Sequence, residues 1–120
     1  MIGTHNVRGI NKITDQDNLI AEIKGREINI IGISETKLST EAARVAFATH
    51  SEYKCFASST NNNTYGSGVA IVLKKELAKH IGKIDRIDGR IIVLHLFFKK
   101  CKLYIIQIYL PSNKKESYTF

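Results

Sequence analysis

Apolar residues recur along the first third of the chain with two different periods. Gly3 to Arg8 alternates small or apolar with polar residues, which predicts a short strand. A stripe at helical spacing follows, formed by Ile13, Leu19, Ile20 and Ile23. Thr14 has the residue type of a helix N-cap, and Gly25 that of a helix end. Glu27 to Ser34 is nearly continuous in apolar residues, as in a strand covered on both faces. Strand, helix and strand in this order predict a parallel β-α-β unit.

The middle of the chain predicts short elements around one long loop. Thr40 to Thr49 is rich in alanine and predicts a helix, for which Ser39 is the expected cap. The sequence SSTNNNTYGSG, from Ser58 to Gly68, consists of turn-forming residues and predicts a surface loop. Strands are predicted on either side of that loop, over Tyr53–Ala57 and Val69–Leu73, and one or two helical turns over Lys75–Ile81.

The last third predicts three strands, over Ile84–Ile87, Ile91–Phe98 and Leu103–Leu110. Asp88 and Gly89 between the first two have the composition of a two-residue hairpin turn, so an antiparallel meander is expected. The residues alone therefore predict one mixed sheet with helices on one face. The last two strands are apolar at both alternating phases, so they need cover on both faces, and the few helices provide it on one.

Composition and charge narrow the class of protein. The chain has 120 residues, the length of one domain or a piece of one. Of these residues 43% are apolar, a fraction too high for a disordered chain. Neither a membrane-spanning run nor a secretory signal is predicted, which favours an intracellular protein. Eighteen basic against 11 acidic residues give a net charge of +7, which favours polyanionic partners. Cys55 and Cys101 are expected to be reduced.

Three polar residues at predicted strand ends are candidates for chemistry. Asn6 lies in the first of the two parallel strands and Glu35 just past the end of the second, and the carboxyl ends of such strands meet at one edge of the sheet. Their oxygen atoms suit Mg²⁺. The alternative is that Glu35 is a surface charge paired with Lys37 and that Asn6 caps the end of its strand. Tyr109 ends the last strand, either as a core tyrosine or as a phenol that donates to a phosphoryl oxygen.

Four ordered segments together resemble the endonuclease/exonuclease/phosphatase superfamily. They are THNVRGIN at Thr4–Asn11, IIGISETKLS at Ile30–Ser39, GSGVAIVLKK at Gly66–Lys75 and IIQIYLPSN at Ile105–Asn113. The wording of the first two is nearest the endonuclease domains of LINE-type retrotransposons and, next, the apurinic endonucleases.

The resemblance implies a fold and a role for each matched residue. Residues 1–120 would be the N-terminal half of a four-layer α/β/β/α sandwich, a mixed sheet with flanking helices, with the partner sheet in the absent half. Glu35 would bind Mg²⁺ or Mn²⁺, Asn6 would position the metal or the catalytic groups, and Tyr109 would contact the phosphate. The substrate, DNA, would be contacted by Lys37, Asn113 and Arg8.

Two departures from the family pattern limit the expected activity. Apurinic enzymes carry an acid at the position of Arg8, and the family's downstream Asp-x-Asn and Ser-Asp-His motifs are not found in this chain. We therefore expect a DNA-endonuclease-like segment that is inactive alone and that self-associates through an uncovered sheet face. The alternatives are a non-catalytic basic nucleic-acid-binding fragment or retrotransposon remnant, and a phosphatase of the same superfamily. Only the retrotransposon resemblance implies a nuclear location.

Overall fold

A computed structural model describes residues 2–59, 68–87 and 89–109 of the chain. Three helices and seven strands lie in this part, in the order β1 (Ile2–Asn6), α1 (Ile13–Gly25), β2 (Ile30–Ser34), α2 (Thr40–Val45), β3 (Tyr53–Ser58), β4 (Val69–Lys74), α3 (Lys75–Ala78), β5 (Ile81–Ile87), β6 (Ile91–Phe97) and β7 (Lys102–Ile108). Most of the predicted loop between Ser58 and Gly68, together with Asp88 and Leu110, lies outside the described residues.

The first four strands form a mixed sheet in the order β1-β2-β4-β3. β1 and β2 are parallel and joined by α1, so the predicted β-α-β unit is confirmed, and the other neighbours are antiparallel. Alternate residues of β2 and β4 divide between the two faces of the sheet. Ile31, Ile33, Ala70 and Val72 pack with the helices in one core cluster, which also contains Leu19, Ile20 and Ile23 of α1.

Three details of the helices differ from the sequence prediction. The N-cap position of α1 is Lys12, whose side chain makes no capping hydrogen bond, so the prediction of Thr14 as the cap is wrong. Ile13, at the first helical position, is 66% exposed, because the first turn extends past the edge of the core that Leu19 contacts. At α2 the predicted cap is confirmed, since the Ser39 hydroxyl accepts from the Ala42 N–H at 3.1 Å. That helix ends at Val45, four residues before the predicted end.

The last three strands form a separate antiparallel sheet in the order β5-β6-β7. The predicted meander is therefore confirmed, and the prediction that its strands join the same mixed sheet is wrong. A strand shows the same alternation of apolar and polar residues whether it belongs to one sheet or to a second sheet stacked on the first. The hydrophobic pattern therefore could not distinguish one mixed sheet from two packed sheets.

The two sheets pack face to face around a second core cluster. Its buried members are Ile30, Val69, Ile71, Leu73, Ile92, Leu94 and Leu96. The meander itself is thus the partner sheet of β1–β4, which corrects the assignment of that sheet to an absent half. The described residues form three layers, namely helices, mixed sheet and antiparallel sheet, of the four that the resemblance implies. The outer face of the antiparallel sheet carries exposed apolar side chains, including Ile106 at 56%.

Candidate functional site

The carboxyl ends of β1 and β2 lie side by side. Asn6 is opposite Ser34 in the parallel register, and the Val7 N–H donates to the Ser34 carbonyl at 3.0 Å. The pairing continues beyond both strands, because the Gly9 N–H donates to the Glu35 carbonyl at 2.6 Å. The segments that contain Asn6 and Glu35 therefore lie next to each other at one edge of the sheet, as the predicted topology requires.

Three of the five non-glycine residues with positive φ in the described part of the chain lie in these two segments. Arg8, Glu35 and Lys37 have φ angles of 51°, 55° and 54°, in the left-handed region that side chains with a Cβ avoid. Each costs about 1–2 kcal/mol relative to the right-handed form. Such strain persists where the surroundings fix the backbone, and it concentrates at functional sites. The carboxamide oxygen of Asn6 helps to fix it, since it accepts from the Arg8 N–H at 3.2 Å.

Tyr109 reaches this edge from the other sheet. Its N–H donates to the Arg90 carbonyl at 2.8 Å, which holds it directly beyond the end of β7. Its hydroxyl donates to Oε1 of Glu35 at 3.2 Å. The contact joins residues that lie 74 positions apart in the chain and belong to different sheets. Both side chains are half-buried, so the phenol and the carboxylate meet at the rim of the sandwich.

A chain of hydrogen bonds ties the segment after β2 to the antiparallel sheet. The Thr36 N–H donates to the Gly68 carbonyl at 3.1 Å, and the Gly68 N–H donates to the Gly89 carbonyl at 2.9 Å. The Gly89 N–H then donates to the Ser58 hydroxyl at 3.1 Å. Both glycines have positive φ, 104° at Gly68 and 68° at Gly89. The sequence predicted both glycines in turns and did not reveal this supporting role. The one signal available was the position of a glycine at a strand end.

The remaining predicted site residues are exposed at the same edge or lie outside the described part. Arg8 and Lys37 are exposed, and the Lys37 stem passes Gly9, where an added Cβ would lie 3.4 Å from Cδ of Lys37. Asn113 lies outside the described residues. The structure thus brings Glu35 into contact with Tyr109 and places Asn6, Arg8 and Lys37 on the neighbouring segments.

The donor set at this edge suits a hard cation in type and is sparse in number. Glu35 offers a carboxylate and Asn6 a carboxamide oxygen, and Mg²⁺ is held in proteins by one or two carboxylates with water completing its shell. No group of three acidic, histidine or cysteine side chains that could hold a metal occurs within residues 2–59, 68–87 and 89–109. The residues fit a weakly held Mg²⁺ or Mn²⁺ ion.

The fold is that of domains from the endonuclease/exonuclease/phosphatase superfamily. Against the AP endonuclease LMAP from Leishmania major the TM-score is 0.66, with 16% identity over 90% of this chain and 39% of that one. Against D. rerio TDP2 complexed with a single-strand DNA product the TM-score is 0.63, with 17% identity over 97% of this chain and 48% of that one. Against the endonuclease domain of TRAS1, a telomere-specific non-LTR retrotransposon, the TM-score is 0.55, with 17% identity over 96% of this chain and 47% of that one. The predicted resemblance is confirmed at the level of fold.

This chain spans less than half the length of each of these three structures. No protein-family profile matches it. No curated protein matches its sequence. None of the helices in the described ranges is long and apolar enough to cross a membrane.

Proposed function

We propose that this chain is a segment of a divalent-metal-dependent phosphodiester hydrolase that resembles DNA endonucleases, with its phosphate site at the edge of Asn6, Glu35 and Tyr109. The observation that carries the proposal is the hydrogen bond from the Tyr109 hydroxyl to Glu35, which joins the two matched motifs across the sandwich. The fold shared with an AP endonuclease and with a TDP2 bound to a DNA product supports a phosphodiester substrate.

Each residue has a role that its chemistry permits. Glu35 and Asn6 would hold Mg²⁺ or Mn²⁺, which supplies polarisation of the phosphoryl oxygen when bound. Tyr109 would turn its hydroxyl from Glu35 to a phosphoryl oxygen, because a phenol donates one proton at a time. Arg8 and Lys37 would pair with neighbouring phosphates, and Asn113 follows Tyr109 closely enough in sequence to reach the same substrate.

The proposed segment supplies binding groups and lacks a complete catalytic set. Hydrolysis also needs a positioned base, which typically contributes about 10²–10⁴-fold. Within the described residues, Glu35 belongs to no group of three acidic, histidine or cysteine side chains that could hold a metal. Residues 1–120 are therefore proposed as a partial domain that does not nick DNA at a useful rate alone.

A second candidate function, non-catalytic binding of nucleic acid, is favoured by the charge. The net charge of +7 supports contacts with phosphates whether or not a metal binds. The two proposed functions differ in their dependence on Glu35. Metal-dependent hydrolysis requires this carboxylate, whereas electrostatic binding of nucleic acid does not.

Calorimetric titration with MnCl₂ tests the proposed site. We expect weak binding to the wild-type chain, loss of the heat signal in Glu35→Gln, and retention in Tyr109→Phe, which removes a competing donor and no ligand. Glu41→Gln is the matched control, since Glu41 is an exposed glutamate of α2 whose ion pair with Arg44 is long, at 4.0 Å. Equal binding by wild type and Glu35→Gln would contradict the metal site and leave the electrostatic function.

A further inference from the structure

Gln16 is a buried polar side chain on the apolar face of α1. It precedes Leu19, Ile20 and Ile23 at helical spacing, so it occupies the first position of the stripe that packs into the core. The residue is only 8% exposed. Burial of an amide is unfavourable unless its polar atoms are hydrogen-bonded, so packing alone would be served better by an apolar residue. Packing therefore does not explain a glutamine at this position.

Both ends of the Gln16 amide bond to backbone groups outside α1. Nε2 donates to the Ile10 carbonyl at 3.0 Å, and Oε1 accepts from the Phe47 N–H at 2.9 Å. Ile10 and Phe47 are themselves buried, and neither lies in a helix or a strand. Buried backbone groups outside secondary structure need partners, and the Gln16 side chain provides one for each residue. A single amide thus joins the segment after β1 to the segment after α2.

The Ile10 backbone connects Gln16 to the sheet edge that carries Glu35. The Ile10 N–H donates to the Thr36 carbonyl at 3.0 Å, while the Ile10 carbonyl accepts from Gln16. The neighbouring Gly9 N–H donates to the Glu35 carbonyl. The segment after β1 is therefore held twice, by α1 through the Gln16 side chain and by the segment after β2 through two backbone hydrogen bonds.

The backbone that these contacts hold is in an unfavourable conformation. The φ angle is positive at Arg8, Glu35 and Lys37. Strained backbone persists only where the surrounding contacts over-determine it. Gln16 supplies one such contact from a fixed position, because its own N–H donates to the Lys12 carbonyl at 3.1 Å within the first turn of α1.

We propose that Gln16 is a positioning residue for the site at Glu35, and that it acts by fixing the segment after β1 against the segment after β2. The inference rests on the proposed function for the ligand, and on the hydrogen bonds for the geometry. Without the amide, the Ile10 carbonyl loses a partner and the two segments can shift against each other. The Glu35 carboxylate and the Asn6 carboxamide, which the two segments carry, then lose their fixed separation.

Amide hydrogen exchange of the full, metal-free chain, measured by NMR, tests the geometry. Gln16→Met keeps a flexible apolar side chain in the stripe and removes both hydrogen bonds. Ile23→Val is the matched control, because it removes a buried methylene from the same stripe and lowers stability through packing alone. Rates are compared with the slowest amides of each variant, which report global unfolding.

We expect exchange at Gly9 and Ile10 to accelerate at least about tenfold more in Gln16→Met than in Ile23→Val, because a buried carbonyl is left without its donor. Gln16→Glu is a second variant, which keeps the shape and an acceptor for the Phe47 N–H and loses the donor to Ile10 when ionised. It should change the two rates in the same direction. Equal acceleration in Gln16→Met and Ile23→Val would overturn the proposal, since Gln16 would then contribute to stability alone.

Titration of the same chains with MnCl₂ tests the consequence for the site, since the paramagnetic ion broadens the resonances of nearby residues such as Glu35 and Asn6. Gln16→Met should require at least about tenfold more Mn²⁺ than wild type for equal broadening, and Ile23→Val about the same amount as wild type. Equal broadening of wild type and Gln16→Met at one Mn²⁺ concentration would overturn the positioning role. If wild type shows no broadening, the proposed metal site fails, and selective acceleration at Gly9 still supports the positioning of this edge by Gln16.

Discussion

The two cysteines differ sharply in environment. Cys55 lies in β3 and packs against the helix-side core cluster, and burial raises the pKa of its thiol to about 12. Cys101 is exposed in the turn between β6 and β7. Thiolate, the reactive form, is therefore scarce at Cys55, whereas the Cys101 sulfur is open to solvent and to reagents.

We predict that one thiol of the native chain reacts quickly with Ellman's reagent at about pH 8. Raising the pKa of Cys55 from 9.0 to about 12 lowers its thiolate fraction on the order of a thousandfold. Cys101→Ser should remove the fast phase, and denaturant should expose both thiols of the wild type. Two fast thiols in the native chain would contradict the burial of Cys55.

At the scale of the elements, the contact between β2 and β7 depends on the absence of a side chain. Gly32 is buried in the middle of β2, on the face toward the antiparallel sheet. The Gln107 side chain occupies the space that a Cβ at Gly32 would need. β7 can therefore pass close to β2, and this close passage brings Tyr109 within reach of Glu35.

We predict that Gly32→Ala lowers the free energy of unfolding by about 1–3 kcal/mol, because it overpacks the layer between the sheets. Gln107→Ala in the same chain should restore part of that loss by vacating the space. Gly25→Ala is the control, since an added Cβ at this helical residue meets no atom within 4 Å and favours the helix. Urea denaturation measures all four chains, and an unchanged stability of Gly32→Ala would refute the close approach.

At the scale of the whole molecule, positive charge lies at both ends of the antiparallel sheet. Arg8 and Lys37 lie at the edge with Glu35, while Lys99 and Lys100 lie in the β6–β7 turn at the far end of those strands. Net charge drives nonspecific attraction to phosphates wherever it is located. The location decides which lysines and arginines make the contacts.

We predict that the chain binds single-stranded DNA with an affinity that falls steeply with salt, as counterion release requires. Arg8→Gln with Lys37→Gln should lower the slope of log K against log salt by about 1.4, or 0.7 for each lost contact. Lys99→Gln with Lys100→Gln, which removes the same charge at the far end, should leave it nearly unchanged. Fluorescence anisotropy measures both, and equal slopes would argue against a binding face at the Glu35 edge.

The elements that local pattern predicted best are those whose signals are complete within a few residues. The stripe of Leu19, Ile20 and Ile23 and the cap at Ser39 act within one helix, so the sequence contains the whole interaction. The prediction of Thr14 as the N-cap failed because a capping residue must directly precede the first helical residue, and α1 begins at Ile13. The left-handed backbone at Glu35 has no local signal, since neighbouring segments impose it.

The sequence by itself determined the strands, the β-α-β unit and the meander, and through resemblance it predicted the candidate site residues. Alternation, helical spacing and turn composition are local, so they survive in a linear reading. Only the tertiary structure decided that the meander forms a second sheet, that Gly32 admits Gln107 between the sheets, and that Tyr109 bonds to Glu35. These features depend on which surfaces meet across a core, and the hydrophobic pattern of a strand does not specify its partner.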